Sequence, residues 1–97
     1  MRVIAKKTLR NFWERVPDAQ APLCAWYAEA KNADWKCPSD VKAKYGSASI
    51  LKNNRVVFNI GGNTFRLVTW INYPLGLVYI RFVGTHADYD KIDAETI

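Results

Sequence analysis

The sequence has very few of the residues that build metal centres and disulfide frameworks. Its 97 residues include one histidine, His86, and two cysteines, Cys24 and Cys37, without a Cys-x-x-Cys pair. A zinc ion would therefore need carboxylate ligands, so we expect no metal site and no cofactor. The two widely spaced cysteines indicate buried or half-buried free thiols.

Long apolar runs, repeats and low-complexity segments are also absent. No stretch approaches the roughly 18–20 apolar residues of a membrane helix, and the first residues, MRVIAKKTLR, lack the apolar centre of a signal peptide. We therefore expect a cytoplasmic protein without a membrane segment. The length suits one compact domain over residues 1–97, and an apolar content of 49% is enough for a packed core.

Charge is distributed unevenly along the chain, whose net charge is +5. Residues 83–97 contain four acidic side chains and one basic one, whereas residues 37–82 contain six basic side chains against Asp40 alone. A basic middle suits a polyanionic partner such as RNA, but charge alone favours the alternative of an ordinary basic surface. The six basic residues are Lys42, Lys44, Lys52, Arg55, Arg66 and Arg81.

Apolar spacing predicts helices in the first half of the chain. After a short strand at residues 2–4, apolar residues at helical spacing predict a helix over about 6–16 and another over about 19–32. Pro17 ends the first helix, and Pro22 is tolerated in the first turn of the second. A short capped helix over 38–46 and a polar loop over 47–54 follow.

The second half changes to the period of two that is typical of strands. Strands are predicted over 55–60, 64–72 and 77–83, with turns at Gly61-Gly62-Asn63 and at 73–76. The fold class is therefore α+β: an N-terminal strand and two helices pack on one face of an antiparallel sheet that ends in a three-stranded meander.

Strand alternation divides the side chains of the meander between two faces. The apolar set, expected to pack on the helices, is Val56, Phe58, Ile60, Phe65, Leu67, Ile71, Val78, Ile80 and Phe82. The mixed set, expected on a helix-free face, is Arg55, Val57, Asn59, Arg66, Val68, Trp70, Tyr79, Arg81 and Val83. A two-residue turn between the first two strands of the meander would place Val57 or Asn59 opposite Arg66. A two-residue turn between the last two strands would place Arg66 opposite Val83 and Val68 opposite Arg81.

The mixed face combines arginines with aromatic rings. Arginine forks match phosphate oxygens, and aromatic rings stack on unpaired bases, so this face is a candidate RNA-binding surface. We expect Lys52, Arg55 and Asn59 to contribute, together with Lys42 and Lys44 from the basic middle. The alternative is that solvent-facing strand positions simply tolerate these residue types.

The segment Thr85–Asp90 contains the one side chain that titrates near neutral pH, His86. RNA provides its own nucleophile, the 2′-hydroxyl. Cleavage without metal then needs a group that takes the 2′ proton, cations for the charged phosphorane and an acid for the 5′ oxygen. His86, Arg66 and Arg81 can fill the last two roles. The proton acceptor stays open among Lys52, Tyr89 and Asp90, and Asp90 can instead orient the imidazole.

The ordered motifs of the meander resemble one known family. The segments are Val57-Phe58-Asn59-Ile60-Gly61-Gly62-Asn63, Arg66-Leu67-Val68 and Ile80-Arg81-Phe82-Val83-x-Thr85-His86-x-x-Tyr89-Asp90. Together with Lys6-Lys7-Thr8-Leu9 and Phe12-Trp13 upstream, they resemble the HigB toxins of toxin–antitoxin systems over nearly the whole chain.

The resemblance implies a RelE-like fold and a ribosome-dependent endonuclease that cuts mRNA in the A site without metal. It also implies neutralisation by a HigA-like helix-turn-helix antitoxin, whose complex with the toxin binds operator DNA. In RelE-like toxins a basic group or imidazole after the last strand is the general acid, the place of His86. An arginine on the middle strand supports the phosphate, as Arg66 would, and a C-terminal tyrosine like Tyr89 orients the base.

Two other functions remain open at the level of sequence. A non-catalytic RNA- or ribosome-binding module would block translation without cutting mRNA. A protein-interaction domain would use its basic face to bind an acidic partner. New 5′ ends on mRNA and an adjacent gene for a small helix-turn-helix protein distinguish the toxin from both.

Overall fold

The computed structural model describes all residues from Met1 to Ile97, arranged around a five-stranded sheet. Its elements are β1 (Arg2–Ile4), α1 (Lys6–Arg15), α2 (Gln20–Asn32), α3 (Pro38–Lys44), β2 (Ser49–Ile50), β3 (Arg55–Ile60), β4 (Phe65–Asn72), β5 (Leu77–Thr85) and α4 (His86–Tyr89). The strand order is β1-β5-β4-β3-β2. The predicted α+β class is confirmed, but the sheet is mixed because β1 pairs in parallel with β5.

The apolar stripes of α1 and α2 pack on one face of the sheet and bury Leu9, Phe12, Leu23, Trp26 and Ala30. This packing follows from the spacing of three and four residues that the sequence shows. None of the helices is long and apolar enough to cross a membrane. Both cysteines are free, but Cys24 is exposed, so its predicted burial is wrong.

Phe58 on β3 is the centre of an aromatic cluster that holds α2 and α3 against the sheet. Its ring centroid lies 5.3 Å from that of Trp26, 6.1 Å from Trp35 and 5.1 Å from Tyr45. Each such pair contributes about 0.5–1.5 kcal/mol beyond the burial of area. Burial and a hydrogen bond of 2.5 Å to Glu29 raise the pKa of Tyr45, so its hydroxyl stays protonated and bridges α2 and α3.

The segment predicted as a polar loop over 47–54 contains β2 and a tight turn. Asn53 and Asn54 both have φ of 59°, and the main-chain N–H of Arg55 donates to the carbonyl of Lys52. Consecutive residues with positive φ are typical of the type I′ turn, whose twist matches paired strands, and asparagine tolerates this conformation. The loop prediction is therefore wrong for Ser49–Ile50, which pair with β3.

The pairing of β3 with β4 follows one of the two predicted registers, with Asn59 opposite Arg66. The pairing of β4 with β5 keeps the predicted register from Asn72 opposite Leu77 to Thr69 opposite Ile80. It departs from that register beyond this point, because the register shifts between Val68 and Thr69. Thr69 pairs with Ile80 and Val68 pairs with Phe82, so one extra residue, Arg81, lies between them. The predicted pairs of Arg66 with Val83 and of Val68 with Arg81 are therefore wrong.

This β-bulge exchanges two residues between the faces, because one extra residue reverses the inward and outward alternation beyond it. Val83 packs on the helix-covered core, whereas Phe82 packs on the opposite face. We call this opposite face the second face. The predicted positions of Phe82 and Val83 are wrong for this reason.

The second face is covered along its middle by the end of the chain, rather than being helix-free as predicted. Val57, Val68 and Ala94 form a small buried cluster there. The residues that pack around this cluster are Leu51, Phe82, Tyr89, Ile92 and Ile97. We call residues 90–97 the tail. Together with α4, it divides the second face into two ends.

Candidate functional site

The two ends of the second face have different chemistry. At one end, the row Asn59–Arg66–Gly84 crosses β3, β4 and β5 and leads into α4; we call it the His86 end. At the other end, the row Arg55–Trp70–Tyr79 crosses the same strands; we call it the Trp70 end. The rows are four residues apart on β3 and β4, which corresponds to about 13 Å along a strand.

A capping box fixes the direction of α4 as the chain leaves β5. The main-chain N–H of Asp88 donates to Oγ1 of Thr85 at 3.2 Å, and that of Thr85 donates to Oδ2 of Asp88 at 3.3 Å. This reciprocal pair satisfies main-chain N–H groups that a helix start leaves without partners. It places His86 at the first helical position, directly beyond the strand that carries Gly84.

Gly84 is buried, and the space beside its Cα is already filled. A Cβ at this position would lie 2.7 Å from Cζ of Phe82 and 3.1 Å from Cβ of Asp88. The missing side chain lets α4 lie close over the end of β5, next to the partner strand residue Arg66. Gly84 thereby sets the position of α4 relative to the sheet.

Gly84→Ala is expected to lower the free energy of unfolding by about 1–3 kcal/mol, because the added methyl overpacks a filled space. We also expect the activity of the folded variant to fall, since α4 must move away from Arg66. Urea unfolding measures the first effect, and activity at a temperature where the variant is fully folded measures the second. Gly46→Ala is the matched control, because a Cβ there meets nothing within 4 Å. Unchanged stability in Gly84→Ala would contradict this account.

His86 and Asp90 form a contact on the surface of α4. Nδ1 of His86 lies 3.4 Å from Oδ2 of Asp90, and the two side chains are 56% and 62% exposed. A carboxylate at Nδ1 favours a proton on that nitrogen, which leaves Nε2 as the nitrogen that can exchange a proton with a ligand. The structure therefore brings together the predicted proton donor and the acidic residue suggested to orient it.

Arg66 lies on β4 between Asn59 and Gly84 and is half-buried. Its Nη1 donates to the carbonyl of Asn63 at 3.1 Å and to that of Phe65 at 3.4 Å, whereas Nε and Nη2 donate to no acceptor. No carboxylate pairs with it. One edge of the guanidinium is thus fixed by the main chain, and the other can bind an anion.

Asn59 and Tyr89 complete the His86 end in different ways. Nδ2 of Asn59 donates to the carbonyl of Ser47 at 3.1 Å and joins β3 to the segment before β2. The ring of Tyr89 packs against the small cluster under the tail. Its hydroxyl has no hydrogen bond in the structure, so it can contact a ligand beside His86.

Arg55, Lys52 and Arg81 lie away from the His86 end. All three nitrogens of the Arg55 guanidinium are used within the chain: Nε and Nη2 donate to the main-chain oxygen of Ile97 at 3.1 and 2.6 Å, and Nη1 to that of Asn53 at 2.9 Å. Nε of Arg81 donates to the same oxygen of Ile97 at 3.3 Å. Lys52 belongs to the turn before β3, beside Glu95 of the tail.

Lys42 and Lys44 belong to α3, and the structure does not bring them to the second face. Nζ of Lys42 donates to the carbonyl of Ala48 at 2.6 Å, and Nζ of Lys44 lies 3.7 Å from Glu29 on α2. A groove of about 530 Å³ between α2 and α3 includes Lys44, Glu29 and Trp35. It is far in the fold from α4 and contains none of the other predicted site residues.

No group of three or more His, Cys, Asp or Glu side chains comes together in a way that could hold a metal ion.

The two tyrosines with shifted pKa values lie outside the second face. Besides Tyr45, burial and the nearby Cys37 raise the pKa of Tyr73, whose hydroxyl is buried without a hydrogen bond.

Three residues of the His86 end were missed by sequence reasoning: Gly84, Thr85 and Asp88. Thr85 followed three residues later by Asp88 is a form of the capping-box pattern and could have been recognised. The role of Gly84 depends on Phe82 lying on the second face, and the bulge that places it there has no clear sequence pattern.

Comparisons with known proteins extend over nearly the whole chain. Residues 19–92 match the model of a family described as HigB_toxin, the RelE-like toxic component of a toxin–antitoxin system. The mRNA interferase toxin HigB of Escherichia coli K12 is 33% identical over 96 residues, which cover 97% of this chain and 92% of that protein. An mRNA interferase HigB of Escherichia coli O6:H1 strain CFT073 is 24% identical over 94 residues, covering 95% and 91%.

Proposed function

Since this chain belongs to the HigB family of RelE-like toxins, we propose that it is the toxic component of a toxin–antitoxin pair and inhibits translation by cleaving mRNA. The observation that carries the proposal at the level of the site is the His86 end. There, an imidazole with a free Nε2 lies beyond the strand next to a half-buried arginine with one unpaired edge.

The proposed reaction uses the 2′-hydroxyl of RNA as nucleophile. The 2′ oxygen attacks the adjacent phosphorus, the bond from phosphorus to the 5′ oxygen breaks, and the products are a 2′,3′-cyclic phosphate and a 5′-hydroxyl. His86 donates a proton from Nε2 to the departing 5′ oxygen, and Asp90 at Nδ1 orients the imidazole. The free edge of Arg66 binds the phosphate oxygens as negative charge develops in the transition state.

The fold favours two of the three candidate residues for accepting the 2′ proton. Of the three candidates, Tyr89 and Asp90 belong to α4 or directly follow it, whereas Lys52 lies in the turn beyond Arg55, at the opposite end of β3. We therefore propose Tyr89 or Asp90 for this step. Tyr89 is the better placed to contact the base as well, because its ring borders the apolar cluster beside His86.

The basic residues outside the His86 end are proposed to have different roles. Arg81 lies four residues before Thr85 on β5, so we propose that it binds a phosphate away from the reacting one, instead of the catalytic role that the sequence predicts. Arg55 fixes the tail, because its nitrogens are already used by main-chain oxygens. Asn59 is proposed to support the phosphate site, and Lys42 and Lys44 to make only peripheral contacts with RNA.

The partners proposed are mRNA in the ribosomal A site and a HigA-like helix-turn-helix antitoxin. Operator DNA would be bound only through the toxin–antitoxin complex, and the place of action would be the cytoplasm, where mRNA is translated. The family description, a toxic component of a toxin–antitoxin system, supports an antitoxin partner; the other assignments follow the resemblance described in the sequence analysis.

Mapping the 5′ ends of an mRNA by primer extension tests the proposed function. The purified protein is added to the same mRNA with and without ribosomes that translate it. We expect new 5′ ends in the translated sample. The upstream fragments should end in 2′,3′-cyclic phosphates. Inhibition of translation without new ends would instead support the non-catalytic alternative, and equal cutting of naked mRNA would contradict ribosome dependence.

A further inference from the structure

The Trp70 end contains an aromatic pair that is only partly buried. The rings of Trp70 and Tyr79 face each other across β4 and β5, with centroids 5.0 Å apart and planes inclined by 37°. Both residues are half-buried, and neither belongs to either of the two hydrophobic clusters. The tail packs on the neighbouring row, Val57–Val68–Phe82, and its last residue, Ile97, contacts the row of the pair through Arg55. An aromatic surface in this setting is available for stacking.

An arginine with two free nitrogens lies on the same strand as Tyr79, two residues further along. Arg81 is exposed, and only its Nε is engaged, by the main-chain oxygen of Ile97. Nη1 and Nη2 donate to no acceptor, and no Asp or Glu side chain forms a salt bridge with Arg81. Because Nε is held by the tail, the guanidinium is fixed while its outer edge stays free. That edge is the fork that matches phosphate oxygens.

The geometry explains why Arg81 is oriented in this way. As the extra residue of the β-bulge, it departs from the ordinary alternation of β5, and bulges often redirect a side chain in this manner. The oxygen that it contacts also accepts two hydrogen bonds from Arg55, so both arginines converge on the second face. All three guanidinium nitrogens of Arg55 are used in this way, whereas Arg81 keeps two nitrogens free beside the aromatic pair.

From this arrangement we infer that Trp70, Tyr79 and Arg81 form a second RNA-binding site, which takes one unpaired nucleotide of a single strand. The base stacks on the Trp70–Tyr79 pair, and the phosphate binds Nη1 and Nη2 of Arg81. The inference rests on the proposed function, because RNA is the occupant. Its chemistry fits the site: Nη1 and Nη2 of Arg81 have no acceptor, and stacking accepts any base.

The site is separate from the His86 end. Trp70 lies four residues from Arg66 on β4, about 13 Å, and the tail lies between the two ends. One strand can therefore contact both ends with nucleotides that are not adjacent. The nucleotide at Trp70 would hold the strand while another, further along, is cleaved beside His86.

The test measures binding of a short single-stranded RNA with 2′-O-methyl groups, which block cleavage, by fluorescence anisotropy. Trp70→Leu keeps an apolar side chain but removes the ring, and we expect it to raise Kd about 5- to 100-fold, the range of one stacked base. Trp70→Phe keeps a ring and should bind within a few-fold of the unmodified protein. The urea midpoint of each variant shows whether it is folded.

Arg81→Gln tests the phosphate contact without disturbing the core, because the side chain is exposed. We expect weaker binding and a slope of log Kd against log salt that falls by about 0.7, the value for one phosphate of a single strand. Arg10→Gln is the matched control: it removes one exposed charge from α1, on the helical side of the sheet, and should leave the salt slope unchanged.

Unchanged affinity in folded Trp70→Leu and Arg81→Gln would overturn the inference. So would variants that keep RNA affinity but lose binding to the antitoxin, since the surface would then bind protein. Cleavage of translated mRNA by the unmodified protein is measured in parallel. If the unmodified protein cleaves mRNA and both variants bind RNA as tightly as it does, only the second site is contradicted. If both variants bind RNA more weakly but the unmodified protein cleaves no mRNA, only the enzymatic function is contradicted.

Discussion

Replacing His86 by alanine is expected to slow mRNA cleavage about 10²–10⁴-fold, the usual contribution of a positioned general acid or base. The free energy of unfolding should change little, because the imidazole is more than half exposed and its one polar contact is Asp90. Alanine is also the best helix former, so α4 is not weakened. Single-turnover cleavage of translated mRNA and urea unfolding measure the two effects.

Asp90→Asn is the control that separates chemistry from position in this pair. It keeps the imidazole and removes the carboxylate charge beside Nδ1. If Asp90 only orients the ring, we expect a smaller loss of rate than in His86→Ala, whereas a loss of similar size would assign the acceptance of the 2′ proton to Asp90. Cleavage by folded His86→Ala at the rate of the unmodified protein would exclude His86 as the acid. A loss of activity in that variant that merely parallels unfolding would leave no support for the role.

Arg66→Ala is expected to lower the cleavage rate about 10²–10³-fold, as is typical when a donor to developing oxyanion charge is removed. The physical reason is that the main chain holds one edge of the guanidinium. Nη1 donates to the carbonyls of Asn63 and Phe65, so the free edge is already oriented before RNA binds. The cost of ordering a long side chain is then avoided at the moment of reaction. Cleavage at saturating mRNA separates this effect from weaker binding.

Arg66→Lys distinguishes orientation from charge at this position. Lysine keeps the positive charge but lacks the planar fork, so we expect it to recover RNA affinity better than it recovers the cleavage rate. Equal recovery of RNA affinity and of the cleavage rate would mean that only the positive charge of Arg66 matters. Unfolding in urea controls for the loss of the contacts that Arg66 makes to the Asn63 and Phe65 carbonyls.

Most of the helices and the meander were predictable because burial imposes a regular period on the sequence. Leu9 and Phe12 on α1, like Leu23 and Trp26 on α2, are buried as their spacing predicts. The type I′ turn was missed, although Asn53-Asn54 between two short apolar segments was an available indication. The parallel pairing of β1 could not be derived from local pattern, because it depends on residues in the distant β5.

The second face shows where sequence reasoning reaches its limit. Alternation placed Arg66 and Asn59 together correctly, because β3 and β4 pair without interruption. It failed at Arg81, because a β-bulge adds a residue without changing the apolar pattern of the strand. The packing of the tail on this face was partly predictable from the sequence. Val57 and Val68 are apolar at positions assigned to solvent, which indicates that another segment packs there. The approach of His86 and Asp90 followed from their separation of four residues.

The parallel pairing at the edge of the sheet has a consequence for folding kinetics. Arg2 pairs with Leu77 far along the chain, whereas β3, β4 and β5 are joined by short turns. Closing a long loop is slow compared with forming local hairpins, so we expect the meander to form first and β1 to dock last. In native-state hydrogen exchange, amides of β1 should then open at lower free energy than those of β4. Equal protection of both strands would show that the sheet opens only as a whole.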